Sequence, residues 1–92
     1  MVTLGGVSRI QKLKRKLRRN PRGIRFGELV RVLESLGYQE ARSSGSHHIF
    51  RPAGQGPSIL VVKPHGGRTL CAMVDVEKVI ALLEEEEIDG QG

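Results

Sequence analysis

GYQEARSSGSHHIFRPAGQGPSILVV, residues 37–62, is the stretch whose reading decides the fold. Ahead of it, apolar residues recur with the period of a helix; inside it, the period falls towards two. Tyr38 to Arg42 alternates weakly, and Ser43-Ser44-Gly45-Ser46 is a turn. His47 to Arg51 reads as a second strand, and Pro52 to Pro57, with Gly54 and Gly56 inside it, as another turn. Ser58-Ile59-Leu60-Val61-Val62 is the strongest strand signal in the chain, because branched aliphatic side chains suit a pleated, half-buried surface. Strands joined by turns this short pair as an antiparallel meander.

On the N-terminal side of this stretch, Phe26, Leu29, Val30, Leu33 and Leu36 form an apolar stripe at helical spacing, wide enough to cover a sheet. Arg25 takes the cap position, Ile24 and Leu29 can pin the entrance, and Glu28 favours the positive end of the helix dipole. Gly37 supplies the left-handed residue that ends the helix. On the C-terminal side, Pro64 to Gly67 breaks the third strand. A last helix is expected from an N-cap at Asp75, with Val76, Val79, Ile80 and Leu83 facing inward. Glu84 to Glu87 put four negative charges at its C-terminal end, against the dipole, so fraying is expected there.

A further helix precedes all of this. Val7, Ile10, Leu13 and Leu17 make a narrow stripe after a cap at Ser8, interleaved with Arg9, Lys12, Lys14, Arg15, Lys16, Arg18 and Arg19. Asn20-Pro21-Arg22-Gly23 closes it. The expected organisation is a basic helical extension and turn (1–23) docked loosely on a domain (24–88), then a disordered tail (89–92). The class is α+β, in the order α-β-β-β-α after the extension. A three-stranded antiparallel sheet carries its helices on one face, the layout of double-stranded-RNA-binding domains.

Ninety-two residues suffice for one compact domain. No stretch approaches the roughly 20 apolar residues of a membrane helix, and the N-terminus lacks the features of a secretory signal. One cysteine, Cys71, excludes an internal disulfide framework and suits a reducing compartment, so a cytoplasmic location is expected. Residues 1–51 hold twelve basic and three acidic residues, a net +9; residues 52–92 hold three and seven, a net −4. That asymmetry fits either a polyanionic partner, with nucleic acid foremost, or a solvated basic helix. The only aromatic residues are Phe26, Tyr38 and Phe50, too few to build a base-stacking platform once the core has taken its share.

Chemistry concentrates at Gly45-Ser46-His47-His48-Ile49-Phe50. Strand alternation sends Phe50 and His48 to the covered face and His47 and Ile49 to the open one. His47, beside a Gly-Ser turn, is then a histidine that reaches a substrate, or a surface histidine without a role. His48 is expected at the edge of the core, satisfied by a local hydrogen bond. His65, in Lys63-Pro64-His65-Gly66-Gly67, lies close to His47 in this arrangement and reads equally as a loop histidine. No metal is expected, because adjacent strand histidines diverge and the remaining ligand types lack metal spacing. Cys71 lies in an apolar stretch and reads as packing.

Phe26-x-x-Leu29…Leu33-x-x-x-Gly37-Tyr38, then Gly45-Ser46-His47-His48-Ile49-Phe50, then Val62-Lys63-Pro64-His65, resembles the pattern of the HicA toxins over about residues 24–83. The resemblance implies an endoribonuclease of the double-stranded-RNA-binding-domain fold that cleaves mRNA without metal or other cofactor. It also implies a HicB-like antitoxin as partner, and it maps the family's catalytic histidine onto His47. His65 is the secondary catalytic candidate. Gly45, Ser46, Arg51 and Lys63 are expected to hold the substrate, with Lys12, Arg15, Lys16 and Arg19 of the basic helix on its phosphates. The alternatives are a non-catalytic RNA-binding module of the same fold, a DNA-binding regulator using the basic helix, and an interaction protein docking that helix on an acidic partner.

Overall fold

The computed structural model describes residues 8–86, and the bounds of its last helix are drawn to Gln91. Val7 and the tail expected at 89–92 lie outside the described residues. In chain order the elements are α1 (Arg9–Arg19), a 3-10 turn (Pro21–Gly23), α2 (Phe26–Ser35), β1 (Tyr38–Ser44), β2 (His47–Pro52), β3 (Ile59–Val62) and α3 (Met73–Gln91). The strands form one antiparallel sheet in the order β1-β2-β3, so the α+β meander expected from residues 37–62 is the observed one.

Local chemistry sets the boundaries. Ser8 caps α1 by accepting the Gln11 backbone N–H at 3.1 Å, and the Gln11 side chain returns the bond to the Ser8 N–H at 3.3 Å. Arginine offers no acceptor at the start of α2, so the Glu28 carboxylate serves there, taking the Arg25 N–H at 2.9 Å. Gly37 ends α2 at φ +89°, and Gly45 turns β1 into β2 at φ +59°, both left-handed conformations open to glycine.

The core lies between the sheet and the helices. Phe50 and Val61 from the strands meet Leu29, Val32 and Leu33 of α2 and Val76, Val79 and Leu83 of α3. Loose docking of α1 is not what the structure shows. Leu17 is fully buried in the same core, Ile10 and Leu13 pack against it, and α1 contacts α2, α3 and the 3-10 turn. The narrow apolar stripe is sufficient because α1 sits in the groove between two helices and needs little width.

Two expectations for α3 are corrected. The helix begins at Met73, so Asp75 is in its first turn rather than at the cap. Its carboxylate, 2% exposed, points inward instead, accepting the Val62 N–H at 3.0 Å and pairing with Lys78 at 3.1 Å. Lys78 also donates to the Leu60 carbonyl at 2.8 Å. β3 is an edge strand, and its outward backbone groups need partners; that demand draws Asp75 off the cap. Nor does α3 break at its acidic run: it continues through Glu84, Glu85 and Glu86, and Lys14 of the adjacent α1 pairs with Glu86 at 3.2 Å. The basic helix alongside offsets the charge that opposes the dipole.

Candidate active site on the open sheet face

The strand register decides which side chains share the uncovered face. His47 lies opposite Ser44 on one side and Val62 on the other; Ile49 lies between Arg42 and Leu60; Arg51 lies opposite Gln39. Three cross-strand rows therefore form a small apolar patch, Ile49, Leu60 and Val62, edged by His47, Arg42 and Arg51. Leu60 is 38% exposed there, although aliphatic, and His47 is exposed. A β-bulge between Glu40 and Arg42 is what places Arg42 and Ser44 on this face, for strict alternation from Gln39 would have presented Ala41 and Ser43.

The turn before His47 and the segment after Val62 close one end of the face. The Lys63 N–H donates to the Ser46 carbonyl at 2.7 Å, extending the β2–β3 ladder by one bond. Gly45, Ser46, Lys63, Pro64 and His65 line a shallow concavity of about 440 Å³ at that end. Four of the expected site residues, Gly45, Ser46, Lys63 and His65, are thus brought together. His47 follows Ser46 directly and pairs with Val62, the residue before Lys63, so its backbone adjoins this concavity although its side chain is not part of the lining.

His48 takes the other side of the strand. Its ring meets that of Phe26 with centroids 4.9 Å apart, and its Nδ1 is 3.1 Å from Glu40 Oε2, the local partner expected for a core-edge histidine. Lys63 Nζ lies 5.8 Å from the centre of the same Phe26 ring, so a cation–π contact steadies the lysine against α2. Phe26, which begins α2, is therefore a support for the site that its spacing marked only as core.

The remaining expected substrate contacts lie elsewhere. Arg51 shares the face of His47 but stands four residues along β2, ~13 Å at the rise of a strand. Lys16 is held by Glu28 at 2.8 Å. Burial pushes the Glu28 carboxyl up, but the Arg25 N–H and the Lys16 ammonium outweigh it, and the net displacement is downward. Lys12, Arg15 and Arg19 are exposed on α1, which packs against the helices, and Arg15 borders the groove between α1 and α3 beside Leu83 and Glu86. Burial, reinforced by Asp75 and Glu28, raises the Cys71 thiol to about 11, so it is a poor nucleophile near neutrality. Among the described residues, no three His, Cys, Asp or Glu side chains come together as a metal-binding group.

The family model of the HicA toxin of bacterial toxin–antitoxin systems matches residues 26–71, half of the chain. The chain belongs to the HicA toxin family. The HicA match takes in α2, all three strands and the loop through Cys71, and so contains the whole open face and the concavity at its end. It leaves α1 outside. No solved structure matches the chain. Membership makes the chain a toxin of a toxin–antitoxin system, from a family that is generally ribonucleolytic, and it implies an antitoxin partner. Among the described residues, no helix is long and apolar enough to cross a membrane.

Proposed function

We propose that this HicA chain is a metal-independent endoribonuclease that cleaves mRNA in the cytoplasm with His47 as general base. The observation that carries the reading is the position of His47: exposed on the uncovered face, one residue after Ser46 and opposite Val62, and so next in the chain to residues that line the concavity of Gly45, Ser46, Lys63, Pro64 and His65. Cleavage of RNA without metal needs a base that removes the proton of a ribose 2′-hydroxyl. That oxygen attacks the adjacent phosphorus, the P–O5′ bond breaks, and the leaving 5′-oxygen takes up a proton. Histidine is the side chain suited to taking up and releasing a proton near neutrality, which fits it for the first transfer. His65 is the acid for the second, and the Lys63 ammonium offsets the charge that develops on the phosphate.

The same face serves the antitoxin. A HicB-like partner that covers the apolar patch with an acidic segment opposite Arg42 and Arg51 would occlude His47. His47→Ala should leave a folded protein that still binds RNA, with cleavage lowered by about 10²–10⁴. Products of the unaltered protein should end in 2′,3′-cyclic phosphate and form at the same rate in chelator. Full cleavage by His47→Ala, or loss of cleavage in chelator, would falsify the mechanism.

A further inference from the structure

The segment Lys63-Pro64-His65 is a ridge with a concavity on each side. One is the concavity against Gly45 and Ser46. The other, also about 440 Å³, is lined by Lys63, His65, Arg68, Leu70 and Ala72, together with Pro64 and its neighbours. The mechanism uses Lys63 and His65 of the ridge but neither Arg68 nor Leu70, which belong to this second concavity alone. Its walls combine three potential donors to an anion with an apolar side, Pro64 and Leu70, the latter 44% exposed.

The loop that carries these groups is held in place. His65 and Arg68 flank a tight turn in which the Arg68 N–H donates to the His65 carbonyl at 3.3 Å. Gly66 and Gly67 take φ of +66° and +88° to make it, conformations costly for any other residue. At one end the loop is tied by the Lys63–Ser46 bond; at the other, the Cys71 N–H donates to the Ile24 carbonyl at 2.8 Å, and Leu70 bridges Arg25. A loop fixed at both ends presents a preformed site, which lowers the ordering cost of binding. Among the described residues, none of Lys63, His65 and Arg68 is paired with a carboxylate. Ala72, the residue before α3, completes the same wall.

We infer that this second concavity is a phosphodiester subsite. It receives the backbone of the RNA strand one step beyond the scissile linkage, with Arg68 as its anion-binding residue and Pro64 and Leu70 against the attached ribose. The inference rests on the ribonuclease reading for the identity of the strand and extends it. A strand cleaved at His47 crosses the Lys63–His65 ridge, and the next phosphate meets Arg68. A guanidinium can engage that phosphate through two parallel N–H groups, which an ammonium cannot.

The test uses the full chain in a His47→Ala background, so that binding is read without cleavage. A hexanucleotide spans both concavities; a dinucleotide fills the first alone. Arg68→Ala should weaken the hexanucleotide about tenfold, the loss of one charge-assisted contact. It should lower the salt slope of its binding by about 0.7, one phosphate's worth. Dinucleotide affinity should not change, and Arg68→Lys should recover part of the loss. An equal loss at both lengths, or no loss with the hexanucleotide, would overturn the subsite. So would complete displacement of the hexanucleotide by inorganic phosphate at matched ionic strength, since the site would then take a free anion. The two readings fail separately: an intact Arg68 effect on binding, with no RNA cleavage by the chain that keeps His47, overturns the ribonuclease reading alone. Efficient cleavage that is indifferent to Arg68 at both lengths overturns the subsite alone.

Discussion

His47 and His48 are chemically identical and one peptide apart, yet they have different surroundings. The pleat turns His48 towards α2, where Phe26 covers its ring and Glu40 holds its Nδ1, leaving the side chain 15% exposed. His47 faces outward between Ser44 and Val62 with neither support. A substitution therefore has opposite consequences at the two positions. His48→Ala removes an aromatic contact and a hydrogen bond at the edge of the core, worth about 1–2 kcal/mol together. For a domain of this size that lowers Tm by about 4–8 °C per kcal/mol. Cleavage by the folded fraction should survive, because His48 lies on the covered side of the strand. A thermal melt alongside an activity assay below Tm tests this. Unchanged stability with lost activity would assign His48 to the chemistry and remove the argument from alternation.

Between elements, the critical join is the one from β3 to α3. Asp75 and Lys78 occupy Val62 N–H and Leu60 C=O along the free edge of β3, so the helix acts as the strand's missing neighbour. The residue after Val62 is Lys63, whose N–H ties back to Ser46, so the same join sets where the ridge of the site begins. Asp75→Ala leaves the partly buried Val62 N–H without an acceptor and Lys78 with only the Leu60 carbonyl. The cost should be about 2–3 kcal/mol, at the low end for a buried pair because Lys78 remains partly exposed. Asp75→Asn keeps an acceptor for Val62 and should lose less. Urea denaturation of both variants distinguishes them, and equal losses would mean that the charge, not the hydrogen bond, matters. Lost protection of the Val62 amide in hydrogen exchange should accompany Asp75→Ala.

Across the whole molecule, the basic charge falls into two sets separated by a layer of helix. Arg42, Arg51, Lys63 and Arg68 lie on the sheet and at its end, whereas Lys12, Arg15 and Arg19 are exposed on α1, which packs against α2 and α3. A short RNA at His47 does not reach α1 across at least one helix diameter, ~10 Å. A long one can wrap round to it. Neutralising Lys12, Arg15 and Arg19 together with glutamine should leave hexanucleotide cleavage unchanged and lower the salt slope for long RNA by about 2. An unchanged slope would make α1 a structural element only. Deleting α1 is a poorer test, since it strips Leu17 from the core, where large-to-small changes cost about 2–5 kcal/mol. Much of this was legible in the sequence. The change of period at Gly37 and the turn at Gly45 determined the order of helices and strands, and alternation at His47-His48-Ile49-Phe50 determined which histidine is exposed, because these depend on neighbours along the chain. The bulge that brings Arg42 beside Ile49, the burial of Leu17, the use of Asp75 on β3 and the meeting of Arg68 with the Lys63–His65 ridge were decided only by the tertiary structure. Each depends on how strands pair and helices pack, satisfying a backbone group or filling a volume that exists only once the sheet and helices have come together.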